Sequence, residues 1–290
     1  LIGAALPVVI IRIKSMLNVG VRGRGDIEQA TTIPVLGEIP HRKEGIKDSE
    51  ILVANDNNDS ISEAFRMLRF NLDFVKRDAR VLMFTSTMPG EGKTFVSRNF
   101  SATLAMTGKR VVLIDADIRK RTQTKLSGIK GKLGLTSFLS GANDDALSLV
   151  VVDESSHHID FLPAGVTPPN PAELLMSSRL ELLIEQLKQH YDYIVIDNVP
   201  AQMVADAGIV NRVADVTLYV IREGKVDRRY LPEIERLHQE KMFKDMSIVL
   251  NDAHVEKKRY GYGYGYGYGY GYGYGYGNEK QKRKKFSFRK

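Results

Sequence analysis

The sequence contains no cysteine, which excludes a disulfide framework and any thiolate metal site and fits a reducing compartment. It contains no HRD or DFG element, which excludes a eukaryotic-type protein kinase. It also lacks a hydrophobic run long enough to span a bilayer. The uncharged part of the opening LIGAALPVVIIRIKSML covers residues 1–11, whereas a spanning helix needs about 20 apolar residues. With no basic segment before that run in the sequence, it is not expected to be a secretory signal. Because Arg12 and Lys14 follow it directly, residues 1–17 read as the cytoplasmic end of a truncated transmembrane helix. The alternative is a buried N-terminal strand or helix.

Charge of one sign is also missing from most of the chain. The formal net charge is +7, yet residues 256–290 alone hold ten Lys/Arg and two Glu, leaving 32 basic and 33 acidic residues elsewhere. A neutral body with a basic tail is not the footprint of a groove-reading nucleic-acid protein, so no nucleic-acid partner is expected. The tail reads as an electrostatic tether.

What is present is an alternation of apolar runs and helical patterns. Residues 18–58 mix Gly, Pro, Asn and charge and read as a juxtamembrane connector with short structured pieces. From residue 59 the pattern is regular. Ile61, Ala64, Phe65, Leu68, Leu72 and Val75 make one apolar stripe along a helix, and Ser60 with Glu63 has the spacing of a capping box. The runs at 80–86, 110–116, 192–198, 216–221 and 246–251 are nearly all apolar, as expected for strands of a parallel sheet covered on both faces. Helical patterns fall at 93–107, 171–189, 202–213 and 229–243. The fold expected over 59–255 is therefore α/β, a doubly wound, mainly parallel sheet of the P-loop NTPase kind. Residues 256–290 cannot bury a core and are expected to be disordered.

One segment of that domain carries chemistry. TMPGEGKT joins a strand to a helix through Pro89, Gly90, Glu91, Gly92, Lys93, Thr94 and Phe95. Glycines let the backbone wind tightly and aim N–H groups at phosphate oxygens. Lys93 would reach the β/γ-phosphates and the Thr94 hydroxyl would bind Mg²⁺. The match to the standard P-loop pattern is incomplete, because Thr87 stands at the first glycine position. Two further strands end in VVLIDADIR, with Asp115, Asp117 and Arg119, and in YIVIDNVP, with Asp197. Carboxyl ends of parallel strands line one crevice, so these aspartates should meet the phosphate loop. Mg²⁺ takes oxygen ligands and keeps waters, so one or two carboxylates suffice.

Together these motifs resemble the bacterial tyrosine kinases of capsule and exopolysaccharide synthesis. The likeness extends to the stretch beginning NPAELLMSSRLELL, to the connector TTIPVLGEIP and to the terminal tyrosine cluster. A departure is DNVP, where family members often have DTPP. The nearest competitor is the deviant-Walker ATPase group, which includes partition and cell-division ATPases and carries a signature lysine where this chain has Met88. That reading would make the protein a nucleotide switch with an interaction tail.

The resemblance implies ATP and Mg²⁺ as cofactors. Lys93, the loop 89–95 and Arg119 would hold ATP; Thr94, Asp115 and Asp197 would hold the metal; and Asp117, with or without Asp115, would orient a phenol and accept its proton. It further implies a ring-like homo-oligomer through an E-x-x-R-x-x-R motif at Glu63, Arg66 and Arg69, all of which fall off the apolar stripe at about 100° per residue. A protein-tyrosine phosphatase and the polysaccharide export machinery would be partners, at the cytoplasmic face of a bacterial inner membrane.

The tract 260–277 alternates tyrosine and glycine, presenting Tyr260, Tyr262, Tyr264, Tyr266, Tyr268, Tyr270, Tyr272, Tyr274 and Tyr276. As substrate of a neighbouring subunit, each would gain about −1.5 to −2 charge on phosphorylation and the ring would loosen. The alternative is a sticky low-complexity linker. The basic residues after it suit anionic lipid, or a solvated tail.

Overall fold

A computed structural model of the chain describes residues 19–42, 45, 50–53, 59–129, 133–152, 158–201 and 206–254. The membrane-end reading of residues 1–17 and the whole tail 256–290, with its candidate phosphorylation sites, lie outside the described residues. In chain order the elements are α1 (Arg24–Ala30), β1 (Val35–Pro40), α2 (Ser60–Val75), β2 (Val81–Ser86), α3 (Lys93–Ala105), β3 (Val111–Asp115), α4 (Thr122–Leu126), α5 (Leu135–Leu139), β4 (Ile159–Leu162), α6 (Pro171–Met176), α7 (Arg179–Lys188), β5 (Tyr193–Asp197), α8 (Asp206–Asn211), β6 (Val216–Arg222), α9 (Leu231–Gln239) and β7 (Ser247–Ala253). Among the described residues no helix is long and apolar enough to cross a membrane.

The strands form one seven-stranded sheet in the order β1-β7-β6-β2-β5-β3-β4, and every pairing is parallel. Strand side chains alternate between two cores. Val81 and Met83 of β2 face one, with Ile114, Ile196 and Ile221. Leu82 and Phe84 face the other, with Leu113, Val195 and Val220. Helices α2 and α3 cover the second core through Phe65, Leu68, Phe100 and Leu104, while Phe138, Leu183, Val210 and Ile234 of α5, α7, α8 and α9 cover the first. Both faces are thus dry, which is why the strands read as continuous apolar runs. Truncating Phe100, which is fully buried, to alanine is expected to cost about 3–5 kcal/mol.

Several local expectations change. The short structured pieces expected within the connector 18–58 include α1 and β1, and β1 goes further, forming one edge of the sheet beside β7. Its run VLGEIP hides the strand, because Gly37 is there to admit Leu68: a Cβ at Gly37 would lie 2.8 Å from Leu68 Cδ2. Helix α2 is capped not by Ser60 but by Asp59, whose Oδ1 accepts from the amides of Ile61 and Ser62, each at 2.8 Å. Asp59 stands one position earlier with extended backbone, the geometry an N-cap needs. The helix expected over 171–189 is two helices, broken where Ser177 takes ψ 150°.

Candidate active site

The carboxyl ends of β2, β3 and β5 meet where the chain reverses direction across the sheet, with β5 seated between the other two. This is the crevice that open parallel sheets use for ligands. The loop after β2 passes through Gly90 at φ 82° and Gly92 at φ 86°, left-handed values that a side chain resists. Space enforces the same choice. A Cβ would fall 2.3 Å from Lys225 Nζ at Gly90 and 2.0 Å from Asn251 Nδ2 at Gly92. Thr87 is not among the positive-φ residues, so the missing first glycine costs the loop nothing in conformation. Gly92 then caps α3, aiming the open amides of that helix's first turn at the loop's mouth.

Lys93 Nζ lies 2.8 Å from Asp197 Oδ1, and Thr94 Oγ1 donates to Asp197 Oδ2 at 2.9 Å. Asp115 stands directly beside Asp197 in the β3–β5 register. Its Oδ2 accepts from the Thr124 amide at 2.8 Å and the Thr124 hydroxyl at 2.7 Å, and its Oδ1 accepts from the Asp117 amide at 3.3 Å. Burial, helped by the charge of Asp197, pushes Asp115 up to about 7, against the Thr124 bonds that favour its anion. Asp117 accepts from the Lys120 amide at 2.9 Å and is only 4% exposed.

Lys93, Thr94, Asp115, Asp117 and Asp197 are therefore brought together, as the motifs imply. Arg119 is not gathered with them. Its guanidinium forms a two-point pair with Asp206 of α8, at 2.7 and 3.1 Å. That carboxylate is buried, 2% exposed, and its hydrogen bond raises the Arg119 pKa. Phe95 can serve the loop only through its backbone. Its ring is buried in the core, edge-on to Phe65 at 6.0 Å. Glu91 turns inward, 1% exposed.

Three supports of the loop come from distant sequence. Asn251 Nδ2 donates to the Glu91 carbonyl at 2.8 Å. Lys225 Nζ and Arg222 Nη1 donate to the Gly90 carbonyl at 3.1 and 3.3 Å. None lies in a recognisable motif; the only signal was position near the carboxyl ends of β6 and β7, beside the same crevice.

The site fits a nucleotide with Mg²⁺. Two glycines at positive φ shape the loop, a lysine stands at its base, and the oxygens of Thr94, Asp197 and Asp115 are hard donors of the kind Mg²⁺ takes. Among the described residues no cluster of three or more His, Cys, Asp or Glu could hold a metal alone, and a phosphate-bound Mg²⁺ needs none.

The folded part is thus a P-loop α/β domain. Residues 79–222 match the family profile described as AAA domain. Tyrosine-protein kinase YwqD of Bacillus subtilis is 35% identical over 203 residues, covering 69% of this chain and 85% of that protein. Tyrosine-protein kinase wzc of Salmonella typhimurium is 35% identical over 238 residues, 77% of this chain. The chain spans only 33% of that longer relative. The solved kinase domain of the Escherichia coli tyrosine kinase ETK superposes with a TM-score of 0.69 at 28% identity, covering 83% of this chain and 98% of that one. The chain belongs to the bacterial tyrosine-protein kinases.

Proposed function

We propose that the site transfers the γ-phosphoryl group of ATP to tyrosine, and that the tyrosines between 260 and 276 of a neighbouring subunit are its substrate. The observation that carries this is the convergence of Lys93 Nζ and Thr94 Oγ1 on Asp197, at 2.8 and 2.9 Å, beside Asp115. Phosphoryl transfer asks for positioning and charge neutralisation more than for covalent chemistry, and these groups supply both. Lys93 would leave Asp197 for the β/γ-phosphates, while the loop amides hold the remaining oxygens. Thr94, Asp197 and Asp115 would hold Mg²⁺, which when bound neutralises charge shared by the β- and γ-phosphates.

The incoming phenol oxygen forms its bond to the γ-phosphorus as the bond to the β–γ bridging oxygen breaks, and ADP leaves with that oxygen. Asp117, at the outer end of the acidic segment, would orient the phenol and take its proton. Asp115 would assist Asp117 in placing the phenol, since a bound Mg²⁺ holds its carboxyl as the anion. A phenol with a pKa near 10 needs a nearby carboxylate, not a strong base.

Glycine at alternate positions from 261 to 277 lets many registers present a phenol equivalently. In the folded domain Tyr219 is wholly buried and Tyr191 nearly so, so neither could enter a cleft without local unfolding. The assembly reading rests on α2. Glu63 pairs with Arg66 and Arg69 donates to the Thr103 carbonyl at 3.0 Å, beside exposed Phe70 and Phe74. Membrane attachment through residues 1–17, a phosphatase partner and control of polysaccharide export complete the proposal.

Incubation with Mg-ATP, with and without chelator, followed by phosphotyrosine detection tests it. Metal-dependent phosphotyrosine is expected. ATP hydrolysis with no phosphotyrosine would favour the nucleotide-switch reading instead.

A further inference from the structure

The segment that follows Asp117 carries charge of one sign. From Ile118 to Asn143 stand six lysines and arginines and no aspartate or glutamate, whereas residues 1–255 together are close to neutral. Lys130 and Lys132 lie outside the described residues, and Arg119 is taken by Asp206. Lys120, Arg121 and Lys125 remain, and no carboxylate pairs with any of them among the described residues.

Local structure sets these three beside the acid that would receive the phenol. The Lys120 amide donates to Asp117 Oδ1 at 2.9 Å and the Arg121 amide to the Asp117 carbonyl at 2.6 Å, so the chain makes one turn between them. The Lys125 amide donates to the Arg121 carbonyl at 3.0 Å, which puts it one turn further along α4. Lys120 and Lys125 are exposed. Arg121 serves the fold poorly where it stands. It holds φ 57°, a left-handed value unfavourable for a residue with a side chain. It occupies the N-cap of α4 without making a side-chain cap, where a cation opposes the helix dipole. Its Nε has no hydrogen-bond partner among the described residues. Strain of this kind is characteristic of ligand-holding positions.

The alternating tract fits this spacing. Tyrosines at alternate positions face the same side of an extended chain and stand about 7 Å apart. Residues four apart on a helical turn stand about 5–6 Å apart. With one phenol at Asp117, the neighbouring tyrosine therefore falls at the distance of the turn that carries Lys120 and Arg121. A phenol offers those cations little, but a phosphorylated one brings about −1.5 to −2 charge and three acceptor oxygens. We propose that Lys120, Arg121 and Lys125 form a phosphotyrosine subsite beside the transfer site, which holds one phosphorylated tyrosine of the tract while the next is presented to Asp117. The subsite distinguishes product from substrate. Residues 256–290 hold ten Lys/Arg and two Glu, so the same three cations repel a tail that carries no phosphate. Phosphorylation then runs along a tail already begun instead of scattering singly over many tails. The inference deepens, and rests on, the reading of the tract as substrate.

Two measurements on the full-length chain test it. For binding, the tract tyrosines of the protein are changed to phenylalanine, so that its own tail cannot compete. That protein is titrated with a synthetic peptide of residues 260–277 carrying one phosphotyrosine or none. The phosphopeptide should bind about tenfold more tightly. Combined Lys120→Gln, Arg121→Gln and Lys125→Gln should erase that preference, and Lys120→Arg, Arg121→Lys and Lys125→Arg, which keep the charge, should retain most of it. Equal affinity for the two peptides, or a preference that survives in the glutamine variant, overturns the proposal. For the reaction, chains with intact tracts are incubated with Mg-ATP and phosphates per tail are counted by intact-protein mass spectrometry. The glutamine variant should add first phosphates at the parent's rate. At matched total phosphate, its ratio of multiply to singly phosphorylated tails should fall about tenfold. Matching distributions in parent and variant overturn the proposal. A phosphopeptide preference in a parent that forms no phosphotyrosine on the tract upholds the subsite and overturns the tract as substrate.

Discussion

Strands β3 and β5 end side by side, each in an aspartate, and the two carboxylates meet opposite surroundings. Asp197 receives an ammonium and a hydroxyl, from Lys93 at 2.8 Å and Thr94 at 2.9 Å. Asp115 receives neutral donors, the amide and hydroxyl of Thr124 and the amide of Asp117. Strand order explains the contrast. The phosphate loop leaves β2, and the neighbour of β2 on this side is β5, not β3. The loop's cation therefore reaches the aspartate of β5, and the aspartate of β3 lies one strand too far. Identical residues at matched register become a neutralised anchor and an acid that burial keeps protonated up to about pH 7.

The largest expected effect comes from removing the cation. Lys93→Met leaves both aspartates buried with no counter-charge and deletes the group aimed at the phosphates. Phosphotyrosine formation should fall about 10³-fold, measured by quantitative mass spectrometry with Mg-ATP. A fall of less than about tenfold would show that Lys93 is not the phosphate ligand.

Next is the anchor itself. Asp197→Asn strands Lys93, whose side chain is 10% exposed, as a buried cation without its partner. The nucleotide-free protein should lose about 3 kcal/mol in denaturant unfolding. Asp115→Asn strands no charge, only the 3.3 Å bond from the Asp117 amide if its oxygen keeps the Thr124 donors, and should lose clearly less. Equal losses in the two variants would erase the proposed difference between the strand ends.

The pH dependence of stability sharpens the contrast further. Asp115 is raised from its ordinary 3.8 to about 7 in the folded state. Its contribution is therefore fully present below about pH 4 and declines as pH rises through about 7, because only the unfolded chain ionises freely in between. Between about pH 5 and 8 the parent should lose about 2 kcal/mol relative to Asp115→Asn. Saturating Mg²⁺ with nucleotide should flatten the difference, since a bound cation favours the anion. Parallel profiles for parent and variant would remove Asp115 as the acid that burial keeps protonated.

The smallest effect on stability is expected far from the strand ends. Replacing Glu63, Arg66 and Arg69 with alanine should cost about 1 kcal/mol or less, most of it from the Arg69 bond to the Thr103 carbonyl. Light scattering should nevertheless show loss of higher oligomers while both aspartates keep their partners. An unchanged mass would place the interface elsewhere.

Much of this was readable in the sequence, for reasons particular residues make plain. VLMFTS, VVLID and YIVID announce strands because helices cover both faces and every position but Tyr193 is buried. The edge strands β1 and β4 gave weaker signals. The first is interrupted by Gly37 and closed by Pro40, and the second is only four residues long. At the site, Lys93, Thr94, Asp115 and Asp197 were legible because loop and strand-end motifs fix where backbone goes. What a motif cannot convey is competition among side chains. Asp206, 87 positions along the chain, takes Arg119, and the Phe65 ring draws Phe95 into the core. The inward turn of Glu91 could not be read either, because Arg222 and Asn251, which hold the Gly90 and Glu91 carbonyls, come from outside the loop's own sequence.

The site formed around Asp197 and Asp115 is proposed to phosphorylate the tyrosines of another subunit's tail. Mixing two chains tests it most directly: one carries Lys93→Met with an intact tail, and the other has an intact site with all nine tract tyrosines replaced by phenylalanine. After incubation with Mg-ATP, mass spectrometry should find phosphotyrosine between residues 260 and 276 of the Lys93→Met chain. No phosphate on that tail, under conditions where the parent protein is active, would contradict the claim.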